Sequence, residues 1–176
     1  MLRPRHEALI AMILAAAVSR LIPHPYNFAP IGALALFGGA QFADKRLAFL
    51  VPAAALFLSD LVIGLYSHME WVYLNFALTV CLGLWLRQRR GALRIAAASL
   101  AASVLFFVVT DLGVWLNDAL YAKSLAGLLA CYAAAIPFFP NTLLGDGFYT
   151  LLLFGGFALL ESRFAMLRET PAISPV

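Results

Sequence analysis

The sequence predicts an all-α integral membrane protein with six transmembrane helices and one shorter helix that does not cross. Three observations predict it. Hydrophobic residues make up 64% of the 176-residue chain and charged residues 12%, against roughly 25% charged in a soluble domain. The mean hydropathy is +0.91. The charges fall in short runs that separate apolar segments of near-bilayer length. The chain reads as a single membrane domain, residues 1–176. The net charge is only +3, and no basic run carries interleaved aromatics, so nothing points to a nucleic-acid partner.

The elements follow in order. Segment 7–22 comes after Arg3 and Arg5 and is rich in alanine. Ala15-Ala16-Ala17 resembles a signal-peptide cleavage site, but the chain downstream is equally apolar, so the segment is read as a membrane helix. Its Ala11–Ala15 spacing lets two helices approach closely. Pro23, Pro25 and Pro30 then forbid a regular helix. Segment 31–42 is apolar but short for a bilayer at about 1.5 Å per residue. After the charged turn Ala43-Asp44-Lys45-Arg46, residues 47–66 form a full-length span with Ser59-Asp60 late in it. Segment 71–86 carries Asn75 and Cys81, and Arg87–Arg90 is the strongest basic cluster. Segment 93–116 carries Thr110-Asp111 near its end. Residues 125–139 are apolar but short, 141–160 form the last span, and 161–176 are a polar tail. Cys81 and Cys131 both lie in apolar stretches and read as buried free thiols.

Charge placement decides the number of crossings. With six crossings, Arg3, Arg5, Lys45, Arg46, Arg87, Arg89, Arg90, Arg94, Arg163 and Arg168 share one side, and only Arg20 and Lys123 lie on the other. That asymmetry places both termini in the cytoplasm. Residues 125–139 are then a re-entrant or outer-face helix buried against protein.

This topology collects polar side chains at the outer face. Arg20, His24, Asn27, Asp60, Asn75, Asp111, Asn141, Asp146 and Tyr149 form the expected solute site. Tyr26, Phe28, Trp71, Trp115, Phe138 and Phe139 supply its aromatic lining. A convergent polar rim over an apolar bundle suits binding of a small molecule. The centre of the expected site is the stretch from Pro137 to Tyr149, with Asn141 and Asp146. Asp146 is expected near the positive end of its own helix dipole, partnered by Arg20, His24 or Asn141.

The string from Arg20 to Ala40 resembles the start of a family of small, uncharacterised bacterial inner-membrane proteins. Leu58-Ser59-Asp60, the stretch from Cys131 to Phe139 and Asn141-Thr142-Leu143-Leu144-Gly145-Asp146 match it as well. More distantly, the layout is similar to the S components of energy-coupling factor transporters. That resemblance implies six helices, outer loops closing over a vitamin, and docking to an energising module. Among S components, the solitary cobalamin transporters imply Cys81 as a ligand to the cobalt of a corrinoid.

Two other readings stand beside transport. One is a non-catalytic assembly or scaffold protein, in which the outer polar residues pair with one another and leave no cavity. The other is an intramembrane enzyme built on Asp111 and Asp146, but an aspartyl protease needs Gly-x-Gly-Asp and position 143 is Leu. There is no His-Glu-x-x-His and no phosphate-binding Gly-rich loop. The expectation is a protein that is not an enzyme.

Overall fold

A computed structural model describes residues 3–168. They form eight α-helices with short 3-10 turns, and no strand occurs among the described residues. The helices are α1 (Pro4–Ser19), α2 (Ile31–Gln41), α3 (Lys45–Ile63) and α4 (Met69–Leu86). They continue as α5 (Ala92–Asn117), α6 (Leu125–Ala135), α7 (Phe139–Thr150) and α8 (Gly156–Arg163). A 3-10 turn, Ile136–Phe138, joins α6 to α7, and a π-helical turn, Leu151–Gly155, joins α7 to α8.

Local chemistry places the ends. Pro4 starts α1, where its missing N–H costs nothing. Asp44 caps α3 by accepting the Arg46 N–H at 2.7 Å, so α3 begins two residues earlier than expected. Gly64, with φ of 106°, ends α3 three residues before the expected Tyr66. His68 takes φ of 63° and starts α4. α1 ends at Ser19 rather than Ile22, because Arg20 turns inward to a buried partner described below.

Four helical runs are long and apolar enough to cross a membrane: Lys45–Ile63, Met69–Leu86, Ala92–Asn117 and Leu125–Arg163. The last corrects the expected separation of 125–139 from 141–160. Pro137 and Pro140 fall in a 3-10 turn and a first helical turn, where proline is tolerated, so the chain runs on without a loop. The outward faces carry Leu50, Val62, Leu100, Leu129, Leu144 and Leu151, as a bilayer solvent allows.

α2 is the hub. Every residue from Gly32 to Gln41 is buried, with α3, α4, α5, α7 and α1 around it. Small residues permit this. A Cβ on Gly39 would lie 2.3 Å from the Val80 carbonyl oxygen, and one on Gly83 would lie 2.5 Å from that of Leu36. The α2 and α4 backbones therefore touch directly, as in small-residue helix pairs. Gly38 leaves room for the ring of Pro52. Phe37 fills the other side, edge-on to Phe154 and Phe157.

The C-terminal end of α2 is tied by cations. Arg5 is buried and donates to Glu161, to the Leu167 carbonyl at 2.6 Å and to Gln41 at 3.0 Å. Arg90 also donates to Gln41, at 2.6 Å, and Arg87 donates to the Phe42 carbonyl at 2.8 Å. Positive groups at a helix C-terminus are favourable. This knot brings the start of α1 and the end of α8 to the same face of the bundle.

Candidate functional site

The expected site residues separate into three arrangements. The first is a buried ion pair. Asp60 is 0% exposed and Arg20 8%. Arg20 donates to Asp60 at 2.6 Å, to the Leu56 carbonyl at 3.3 Å and to Ser59. Tyr73 donates to the second Asp60 oxygen at 2.7 Å. Both charges are thus paired and hydrogen-bonded, as interior ions must be. Tyr66, in the turn after α3, has its hydroxyl pushed up to about 12, first by burial and then by the Asp60 carboxylate. It stays neutral and hydrogen-bonds Arg20.

The second arrangement corrects the reading of Asp146. None of the expected partners reaches it. Its carboxylate instead accepts the backbone N–H groups of Gly32 and Ala33, and the Ser103 hydroxyl donates to it at 2.7 Å. The positive helix end it meets belongs to α2, two turns away from the start of its own helix. α2 has no cap of its own, because Pro30 precedes it and offers no side-chain acceptor. Asp146, 3% exposed, supplies that cap from α7. Gly32 must lack a side chain here, since a Cβ would lie 2.5 Å from Asp146 Oδ1. Ser99 and Thr150 hydroxyls sit 3.1 Å apart one turn below.

The third arrangement is a pocket of about 60 Å³ between the 20–30 loop, α5 and the α6–α7 junction. Its polar lining is Asn27, Thr110, Asp111 and Thr142. Its walls are Phe106, Phe107, Phe138 and Phe139. Phe107 packs on Phe139 at 5.0 Å and on Tyr132 at 5.5 Å. The loop is held in place from α7. Asn141 donates to the Tyr26 carbonyl at 3.0 Å, and Gly145 lets Phe28 and Ala29 approach. Asn27 takes φ of 63°, which turns the loop toward α5 and α7. Asp111 is half-buried, and no side-chain donor or cation bonds its carboxylate among the described residues.

The remaining expected residues lie apart. His24 is exposed and its ring meets only the Pro25 carbonyl, at 3.0 Å. With Arg20 it edges a broad depression of about 490 Å³. Tyr149 is buried against α1, where its hydroxyl hydrogen-bonds the Ser19 hydroxyl at 2.9 Å while Ser19 donates to the Ala16 carbonyl. Asn75 is fully enclosed, and its amide atoms and the Thr79 hydroxyl find no partner among the described residues. Cys81 is exposed on the outside of α4, away from all three arrangements, which corrects its reading as a buried thiol. Cys131 is buried and donates to the Asp111 carbonyl. No group of three His, Cys, Asp or Glu side chains able to hold a metal occurs among the described residues.

Of the expected aromatics, only Phe138 and Phe139 line the pocket. Trp71 packs over Gly113, and Trp115 donates to the Ala122 carbonyl. Sequence reasoning missed Phe106, Phe107, Thr110 and Thr142. The first three sit one to five residues before Asp111, so they share its helix end and mostly its face. A second, wider groove of about 500 Å³ runs between α5 and α7. It is almost entirely apolar, and its Ser99, Ser103 and Thr150 are already bonded.

A family model matches residues 2–171, nearly the whole 176-residue chain. The chain belongs to the family of unknown function DUF6580. No curated protein and no solved structure matches it. In this DUF6580 member the pocket is built from α5, α6 and α7 together with the proline-rich loop, all inside the matched range.

Proposed function

We propose that this protein is a substrate-binding membrane transport protein that takes a small organic solute at its outer end. The observation that carries the reading is the pocket. It gathers an unbonded carboxylate, two hydroxyls and an amide between four phenylalanine rings. A few convergent polar groups on an apolar wall suit ligand capture. The scaffold alternative expects outer polar groups to consume one another. Arg20 and Asp60 do so and are structural, but Asp111 does not. The mechanism is binding without chemistry: no nucleophile–base pair lines the pocket.

We place the chain in a bacterial inner membrane, crossing six times with both termini in the cytoplasm. The contact of Arg5 with Glu161 supports an even number of crossings, and the arginines at that end support its cytoplasmic side. α2 and the extended 20–30 loop together make the second crossing. The likeness to S components is one of layout. A cavity of this size does not hold a corrinoid, and Cys81 lies outside it, so the reading narrows to a small solute. Any ATP-driven step needs other subunits, because the chain carries no nucleotide-binding loop.

Topology is tested first. In a chain with native cysteines replaced by serine, cysteines at Gln88 and Ser162 should react only from the cytoplasmic side. Reaction of either from outside overturns the six-crossing arrangement. Function is tested by native mass spectrometry and a small-solute binding screen on the purified protein in nanodiscs. A solute should bind to wild type, and Thr110→Phe, which fills the pocket, should abolish that binding. Failure of every solute, or binding that survives Thr110→Phe, overturns the reading.

A further inference from the structure

We propose that the outer pocket recognises a primary ammonium head group, through the Asp111 carboxylate and the faces of the surrounding phenylalanines. The inference rests on the solute-binding reading and names its substrate class.

The lining carries acceptors and no competing cation. No Lys, Arg or His lines the pocket. Asp111 is half-buried with no side-chain donor, so the pocket holds a negative group that nothing in the fold neutralises. The other buried carboxylates among the described residues are answered. Asp60 has Arg20 and Tyr73, and Asp146 has two backbone N–H groups and Ser103. A bound cation would supply the counter-charge that Asp111 alone lacks.

The nearest charged groups are accounted for. Lys123 donates to the Trp115 carbonyl and to the Asp118 carbonyl at 2.7 Å, and stands over the Trp115 ring. It is committed to its own loop. The Asp118 carboxylate meets His68 at 2.9 Å, and His68 lies 3.8 Å from Glu70. At this end Glu70, Asp111 and Asp118 face Lys123 as the one formal cation outside the Arg20–Asp60 pair among the described residues. The field over the entrance favours cations.

The walls fit the same ligand. Phe106, Phe107, Phe138 and Phe139 present aromatic surface, whose negative faces attract an ammonium. Thr110 gives its one hydrogen to the Phe106 carbonyl at 2.7 Å, which leaves its oxygen free only to accept. An ammonium donates and never accepts, so it matches carboxylate and hydroxyl oxygen together. Size selects the primary form. A cavity of 60 Å³, at about 30 Å³ for each water-sized group, takes roughly two of them, enough for an ammonium and the first carbon of its alkyl stem.

The test compares three probes of similar size on the full-length protein in nanodiscs: n-propylammonium, 1-propanol and propionate. Saturation-transfer NMR reads binding, and thermal unfolding reads the fold. The ammonium should bind at least tenfold more tightly than the alcohol, and propionate should not bind. Asp111→Asn should remove that preference, lowering ammonium affinity tenfold or more while leaving alcohol binding and the unfolding temperature unchanged. If Asp111→Asn folds poorly, the wild-type preference for ammonium and its loss in Thr110→Phe decide the matter. Equal binding of alcohol or propionate, abolished by Thr110→Phe, overturns the ammonium assignment and leaves the solute reading standing. Full ammonium affinity in a folded Asp111→Asn protein overturns the assignment as well. Absence of binding by these probes and by every solute in the wider screen overturns both.

Discussion

Asp60→Ala is expected to be the most destabilising single change at the end of the bundle where α1 meets α3, lowering stability by about 3–5 kcal/mol. The carboxylate is completely buried and holds Arg20 at 2.6 Å and Tyr73 at 2.7 Å. Its removal leaves a guanidinium that is 8% exposed with only neutral partners, Ser59, the Leu56 carbonyl and the Tyr66 hydroxyl. An unpaired charge in a low-dielectric interior costs far more than the pair contributed. The pair also fastens the end of α1 to α3, so the 20–30 loop should loosen. Unfolding in mild detergent, followed by intrinsic fluorescence, measures the loss. Arg20→Met combined with Asp60→Leu should recover most of it, because both charges then leave together. A single variant as stable as wild type would show that water reaches this pair.

The second large effect is expected at Asp146. Asp146→Ala strips an acceptor from two α2 N–H groups and from Ser103 at once. Hydrogen bonds to a charged group are worth about 1.5–3 kcal/mol each, and a charge at a helix end adds up to about 2. A net loss of about 3 kcal/mol is expected, since neighbouring groups relax in part. Asp146→Asn keeps one acceptor and should lose about half as much. Hydrogen exchange should speed up first at Gly32 and Ala33. Gly32→Ala offers an independent route to the same defect, because its Cβ would press on Oδ1 from 2.5 Å and evict the carboxylate. The two changes combined should cost no more than the larger alone, since both remove one contact. Additive losses would show that Asp146 does not cap α2.

The role of Asp146 explains why Pro137–Tyr149 dominates the sequence. It supplies the clamp on the loop through Asn141, the cap on the hub helix through Asp146, and two walls of the pocket through Phe138 and Phe139. A carboxylate placed in apolar surroundings must have a donor, and the sequence makes that need visible. It does not name the donor. The backbone of a helix more than a hundred residues earlier in the chain leaves no side-chain signature to read.

The sequence by itself determined the helical class, the apolar segments and their polar punctuation. Each of those depends on composition and on neighbours within a few residues: Asp44 at a cap, Gly64 at a stop, prolines between helices. It also marked Asp60, Asp111 and Asp146 as residues needing a reason, because carboxylates are scarce in apolar helices. Only the tertiary structure decided what the reason was in each case. Three carboxylates with the same local pattern received an arginine, a helix end and nothing. Pairing partners are set by how helices distant in the chain cross, and those crossings depend on backbone approach at Gly39 and Gly83. A glycine in an apolar run tells that something comes close, and the fold alone tells what.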